Sequence, residues 1–489
     1  MMWWRGWMTG LGMAALLGAT APVHGKSLQP CRLKGVVHEA LCGSVQRPLD
    51  PARPDGTRIQ VHFAVLPALA HNKLADPVFF IAGGPGQSAI ELAGPLAAQF
   101  ARLSNRRDLV FVDQRGTGRS APLRCEQDAE VMRPLAESVD ESAQLKRLAD
   151  CRERLQALPH GDLRHYGTTV AMADLDAVRA QLGAARINLV GASYGTRAAL
   201  EYMRLFPSAV RRAVLDGVAP ADMVLPASFS TDNQAALDGL LNWCADDADC
   251  SARHPALKQQ WLALLDSLPR EVTLTHPYTG REERVRLTRE AVLGMVRTPL
   301  YLPALAAGLP QAIAEAASGR FTPLAGLASA LSGPGRPEVY SGMHFSVVCT
   351  EDLPRLPLAP EPDSAQFGRA FARVYQQVCA DWPRGKVDAA FYTTPTAPAA
   401  TWLLSGGDDP ATPPRHGERT ARALGAKARH TVVPHGGHGV MALACLRDAV
   451  QRFIDAPNDD EALKVNADCA AGVPRPRVFV PLASASASR

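Results

Sequence analysis

Ser193, Asp409 and His438 are the residues of this 489-residue chain whose types and order suit nucleophilic chemistry. Ser193 is the centre of Gly191-Ala-Ser-Tyr-Gly195, directly after the apolar run Ile187-Asn-Leu-Val190 and before the helix-prone stretch Thr196 to Phe206. That is the strand, tight turn and helix of a nucleophile elbow, where crowding of the turn demands small residues two positions before and after the serine. A serine hydroxyl is a poor nucleophile at neutral pH. It needs a histidine base, and the histidine needs a carboxylate to hold its tautomer.

With this elbow the chain order is serine, carboxylate, histidine. Thr401-Trp-Leu-Leu-Ser-Gly-Gly-Asp-Asp-Pro410 reads as a buried strand running into a turn, with a carboxylate at its end. Ala428-Arg-His-Thr-Val-Val433 reads as another strand, followed by Pro434-His-Gly-Gly-His-Gly439. Asp408 is adjacent to Asp409 and His435 is close to His438, so spacing leaves the choice within each pair open. Flanking glycines make His438 the better base. A lone loop Asp or His is ordinarily a turn or surface residue; three such groups in the required order, each after a strand, favour chemistry.

An oxyanion hole takes one N–H from the residue after the serine, here Tyr194, and one from a loop after an earlier strand. Pro77-Val-Phe-Phe-Ile-Ala-Gly-Gly-Pro-Gly86 fits that loop. Pro85 has no N–H to give, so Gly84 is the expected donor. A plain strand-terminating turn is the competing account.

Gly83-Gly-Pro-Gly86, Asp113-Gln-Arg-Gly-Thr-Gly-Arg-Ser120, Gly191-Ala-Ser-Tyr-Gly195, Asp409-Pro-Ala-Thr-Pro413 and Gly437-His-Gly439, in this order, resemble the prolyl aminopeptidase family of α/β-hydrolases. The nearest branch is the secreted one that includes the tripeptidyl aminopeptidases. The resemblance runs from about residue 55 to about 470 and is weakest between about 220 and 340. It implies Ser193, Asp409 and His438 as the triad, because the family's carboxylate precedes Pro-x-Thr-Pro and its base lies in Gly-His-Gly. Where the family commonly has His-Gly-Gly-Pro-Gly, this chain has Ala82 in place of the histidine. An intact hole with altered local hydrogen bonding is expected.

The elements that must position these groups form an α/β fold. Strand-like runs Ile59 to Leu66, Val78 to Ala82, Leu109 to Asp113, Ile187 to Val190, Ala213 to Asp216, Trp402 to Ser405 and His430 to Val433 alternate with helical stretches. Such alternation indicates a mostly parallel central sheet flanked by helices, the α/β-hydrolase fold, with a large mainly helical cap insertion. The expected division is a core of residues 26–220, a cap of 221–395, a second core part of 396–475 and a flexible tail of 476–489. The run Ala483-Ser-Ala-Ser-Ala-Ser-Arg489 is of low complexity.

An aminopeptidase needs carboxylates for the substrate amine. Phe345-Ser-Val-Val-Cys-Thr-Glu-Asp352 supplies Glu351 as candidate, against the alternative of a solvated acidic turn or helix cap. Trp243 and Trp382 either line a pocket or pack in the core. Asp113, Arg115 and Arg119 read as a buried ion network fixing a compact turn, more than as substrate contacts.

Met1-Met-Trp-Trp-Arg5 and the apolar Trp7 to Ala21 form a signal-peptide pattern, with cleavage expected after Gly25. The apolar stretch is too short for a comfortable membrane span. All ten cysteines follow it, an even number suited to disulfides in a secreted or periplasmic protein. A local scheme pairs Cys31 with Cys42, Cys125 with Cys151, Cys244 with Cys250, Cys349 with Cys379, and Cys445 with Cys469. On the chain-entropy model the last contributes about 3 kcal/mol. There is no C-x-x-C pair or clustered Cys/His spacing for zinc and no phosphate loop with a lysine, so no metal or cofactor is expected. A net charge of +4 with scattered signs points to neither nucleic acid nor a membrane surface. The expected partner is a peptide with a free N-terminus, and a monomer is favoured.

The sequence therefore points to a secreted serine hydrolase cleaving residues from the amino end of peptides. A carboxylic-ester hydrolase with the same triad is the alternative, since fold and elbow do not choose between ester and amide. A catalytically inactive hydrolase-fold binding protein is the alternative of another class, and it has no reason to keep three catalytic groups.

Overall fold

The computed structural model of the chain describes residues 28–125, 132–333, 338–358 and 366–480. Its strands in chain order are β1 (Gln29–Cys31), β2 (Ala40–Pro48), β3 (Arg58–Leu66), β4 (Val78–Ile81), β5 (Leu109–Val112), β6 (Ile187–Ala192), β7 (Val210–Asp216), β8 (Arg270–Thr275), β9 (Glu282–Leu287), β10 (Thr401–Gly406) and β11 (Ala428–Val433). A nine-stranded sheet runs β1-β2-β3-β5-β4-β6-β7-β10-β11. The first three strands pair antiparallel, and every pairing from β5 to β11 is parallel.

Parallel strands need both faces covered, and β4 and β5 are accordingly apolar and buried at every residue. Successive side chains alternate between the faces. Phe79, Val110, Leu189, Leu215 and Leu403 pack into one core, and Phe80, Phe111, Val190, Val214 and Leu404 into the other. The carboxyl ends of β4, β6, β7, β10 and β11 thus emerge side by side from a rigid layer.

Between β7 and β10 the chain forms the cap, with the long helix Leu225–Asp246 and the helices Leu257–Asp266, Arg289–Leu300 and Ser341–Glu351. A third apolar cluster, including Leu237, Trp261, Val285, Val296 and Ile313, gives this region its own core. The cap is not only helical. β8 and β9 make an antiparallel hairpin in which Val272 pairs with Val285, and Val272, Leu274, Val285 and Leu287 are buried between exposed neighbours.

Five disulfides close: Cys31–Cys42, Cys125–Cys151, Cys244–Cys250, Cys349–Cys379 and Cys445–Cys469. The expected signal peptide, residues 1–25, lies outside the described residues. Of the segment expected to be a flexible tail, residues 476–480 are described, and they run along the cap. Val478 joins the cap cluster, and the Phe479 N–H donates to the Ala307 carbonyl at 3.0 Å. Among the described residues no helix is long and apolar enough to cross a membrane, and no group of His, Cys, Asp or Glu is arranged to hold a metal ion.

Candidate active site

β6 ends at Ala192, and the next residue turns sharply. Ser193 has φ 55° and ψ −125°, a region that L-residues enter only under strain. A Cβ on Gly191 would meet the Gly195 carbonyl, and one on Gly195 would meet the Ile81 carbonyl, so the flanking glycines are sterically required. Hydrogen bonds hold the turn: the Ser193 N–H donates to the Asp216 carbonyl at 2.9 Å, and the Thr196 hydroxyl donates to the Ser193 carbonyl at 2.6 Å. The helix Tyr194–Leu205 starts here, so the Tyr194 N–H belongs to the first turn, whose donors have no intrahelical partner.

The turn after β10 separates the two adjacent carboxylates. Asp409 is buried and accepts the N–H groups of Ala411 and Thr412 at 2.8 and 2.9 Å and the Thr412 hydroxyl at 2.7 Å. Nδ1 of His438 lies 2.9 Å from its Oδ2. Asp408 instead pairs with Arg475 at 2.6 Å, and His435 approaches Asp408 only to 3.9 Å. With Nδ1 of His438 bonded to a carboxylate, Nε2 is left to accept a proton.

Burial pushes the Asp409 carboxyl up, but the facing His438 and the donated hydrogen bonds outweigh it and hold the group below its ordinary value. For His438 burial pushes down, and the attraction and hydrogen bond of Asp409, with help from Asp216, raise it above its ordinary value. Ser193 and His438 both line a cavity of about 160 Å³, together with Gly83, Gln87, Leu92, Leu96 and Met441.

The loop after β4 closes on the elbow. A Cβ on Gly83 would lie 3.1 Å from the Ala192 carbonyl and 3.2 Å from Ser193 Cβ, and Gly84 follows at φ +107°. The cap fastens this loop from above: the Tyr340 N–H donates to the Gly86 carbonyl at 2.8 Å, and Nδ1 of His344 lies 3.2 Å from the Pro85 carbonyl. Ala82, at the family's histidine position, is buried among apolar residues of the sheet.

Residues 76–443 match the α/β-hydrolase fold family. The chain is an α/β-hydrolase. The hydrolase is similar to tripeptidyl aminopeptidase of Streptomyces lividans, 26% identical over an alignment that covers 92% of this chain and 88% of that protein. It is similar to serine protease Hip1 of Mycobacterium tuberculosis (strain ATCC 25618 / H37Rv), 28% identical and covering 83% and 85% of the two chains. It is also 30% identical to carboxylesterase B of Mycobacterium tuberculosis (strain CDC 1551 / Oshkosh), over 85% of this chain and 84% of that one.

Two residues that sequence reasoning missed shape the hydrolase's site. Asp216, at the end of β7, accepts the backbone N–H groups of Val440 and Met441, and burial pushes its carboxyl up to about 6 against those bonds. A carboxylate at a strand end was the signal used for Asp409, and it marked Asp216 equally. Tyr301, in the cap, accepts the His438 backbone N–H at 2.9 Å and sets its ring edge-on to the imidazole, 5.1 Å between centroids. Nothing in the sequence marks it.

Glu351 is placed differently from a carboxylate presented to substrate. It is 3% exposed and does not line the cavity; its oxygens accept the Thr168 N–H at 2.7 Å and hydroxyl at 2.9 Å, and Arg197 lies 3.7 Å away. Burial pushes it up to about 7 despite Arg197 and Thr168. The Thr168 hydroxyl also contacts the Tyr194 hydroxyl at 2.7 Å, so Glu351 is linked to the residue after Ser193 through these two hydroxyls. Asp113, Arg115 and Arg119 do not pair with each other as ions. Arg115 forks onto Asp174 at 2.7 and 3.0 Å, while Asp113 accepts the Ser88 hydroxyl and the backbone N–H groups of Ile90 and Arg119. Trp382 packs on Phe345, and Trp243 lies under Arg475; neither lines the cavity.

Proposed function

We propose that this hydrolase is a serine peptidase that removes residues from the amino end of peptides in an oxidising compartment outside the cytoplasm. The observation that carries the serine-hydrolase chemistry is the 2.9 Å contact of His438 with Asp409, beside a serine held at φ 55° on the same cavity. In this mechanism Nε2 of His438 takes the Ser193 proton as Oγ attacks the scissile carbonyl carbon. The N–H groups of Gly84 and Tyr194 receive the oxyanion, each worth roughly 10²–10³ in rate. The C–N bond then breaks as His438 passes its proton to the leaving amine. Water, deprotonated by the same histidine, releases the acyl group from Ser193.

Amide substrates are favoured by the match to a tripeptidyl aminopeptidase along 92% of the chain. The compartment is favoured by five disulfides, which persist where the environment is oxidising, and by the signal-peptide pattern of residues 1–25. A fluorophosphonate is expected to label Ser193 and abolish activity, and a chelator to leave activity intact. Chelator-sensitive activity untouched by the fluorophosphonate would refute the mechanism.

Ester hydrolysis by the same residues is the second reading. It is favoured by the 30% identity to a carboxylesterase and by the burial of Glu351 against Thr168, away from the cavity that holds Ser193.

A further inference from the structure

We propose that Arg297 is a specificity residue whose guanidinium receives a substrate carboxylate on the leaving side of the scissile bond. This rests on the peptidase reading above and narrows its substrate class.

Arg297 lies in the last turn of the cap helix Arg289–Leu300. Its guanidinium is ringed by aromatic faces, 4.8 Å from the Phe229 centroid, 5.2 Å from Phe371 and 5.5 Å from Tyr301. Of the five donors of an arginine, one has an assigned acceptor, Nη2 donating to the Tyr301 hydroxyl at 2.8 Å. Nε is buried without a partner, and among the described residues no carboxylate lies within ion-pair distance of this side chain. The helix C-terminus favours a cation, which accounts for the charge but not for the unspent donors. A buried donor is ordinarily satisfied and Nε is not, while Arg297 as a whole is only half-buried, so its fork is open to a ligand.

The position of this charge gives it a use. The residue that holds its Nη2, Tyr301, is also the residue that holds His438, through the 2.9 Å backbone bond and the edge-on ring. Tyr301 stands between the two groups, its ring centroid 5.5 Å from the Arg297 guanidinium and 5.1 Å from the centroid of the His438 imidazole. The cation therefore sits one aromatic ring away from the base, next to the residue that holds it.

A planar fork of N–H donors matches a carboxylate, in two parallel bonds. The same charge repels an ammonium, so the substrate's amino end must lie elsewhere. His438 hands its proton to the leaving amine, and the group nearest Arg297 is accordingly on the leaving half. Two sources present a carboxylate there: the free carboxyl end of a short peptide, and an acidic side chain just past the cut. Either makes the preferred substrate a peptide with an anionic leaving half, the former a short one.

The test uses two matched pairs, tetra-alanine against its carboxamide, and Ala-Ala-Ala-Glu-amide against Ala-Ala-Ala-Gln-amide. Cleavage by the wild type gives kcat/KM, and calorimetry on Ser193→Ala gives binding without turnover. In at least one pair the acid is expected to exceed its neutral partner in kcat/KM by roughly tenfold. The pair that responds identifies the source. Arg297→Gln is expected to bring that ratio close to one, and Arg297→Lys to keep part of it. Equal kcat/KM within both pairs in the wild type would overturn the assignment, as would an unchanged ratio in Arg297→Gln. The wild-type contrast holds even if the variants loosen the cap. If no peptide is cleaved yet the acid binds Ser193→Ala more tightly than its neutral partner, the peptidase reading fails and the Arg297 assignment survives; equal binding of both would remove it.

Discussion

The Asp216 carboxylate accepts the Val440 backbone N–H through both oxygens, at 2.8 and 3.0 Å. This ties the end of β7 to the loop that carries His438, two residues before Val440.

Asp216 should therefore cost stability while it organises the site. Its carboxyl is raised to about 6 in the fold from an ordinary value near 3.8, so folding favours the protonated form; that contribution is complete below about 3.8 and is lost as pH rises through about 6. Asp216→Asn should gain thermal stability relative to the wild type as pH rises across that window. It should also move the acid limb of kcat/KM to lower pH, because the Asp216 charge helps hold the proton on His438. Calorimetric Tm at pH 4 and pH 7, with pH–rate profiles, checks both.

His438 must be neutral to act as base, and its pKa is raised, so kcat/KM should increase with pH through a midpoint above the ordinary histidine value near 6.5. Asp409→Asn removes the main attraction and permits the wrong tautomer. Its kcat should fall by roughly 10⁴-fold. The linkage has two edges. The stabilisation from the raised His438 is lost as pH climbs through its folded pKa, and that from the lowered Asp409 is lost as pH falls through its own.

Glu351 gives a different signature. Raised from about 4.5 to about 7 by burial, it favours folding at low pH, and that contribution is lost as pH rises through about 7. Glu351→Gln should therefore lose less Tm than the wild type between pH 4.5 and 8. Acting through Thr168 and Tyr194, the substitution should change kcat for esters and peptides alike. A rise in KM confined to substrates with a free amine would show that Glu351 meets the amine after all.

The parallel half of the sheet was legible because its central strands carry short apolar runs, and β5, β6, β7 and β10 have a glycine or a carboxylate at or next to their last residue. The motifs at those ends carried the candidate triad with them. β2 was not among the strand-like runs, since Gly43, Ser44, Gln46, Arg47 and Pro48 give it no apolar run, and the strand exists because β3 pairs with it from Leu41–Val65 to Pro48–Arg58. The β8–β9 hairpin was legible in the alternation of Val272 and Leu274 with Glu271 and Thr273, but the helical pattern around it masked the signal. Tyr301 and Arg297 could not be read at all. They matter through contacts with His438 and with aromatic rings distant in sequence, and one chain carries no periodicity for such contacts.

The central claim is tested most directly by release of a fluorescent amine from free and N-blocked aminoacyl, dipeptidyl and tripeptidyl amides, alongside short acyl esters, by the wild type and Ser193→Ala. The account predicts turnover of free-amine peptidyl amides that disappears on N-blocking and in Ser193→Ala, with the longest unit released giving the cut length. Turnover of esters alone, or amide turnover that survives Ser193→Ala, would contradict it.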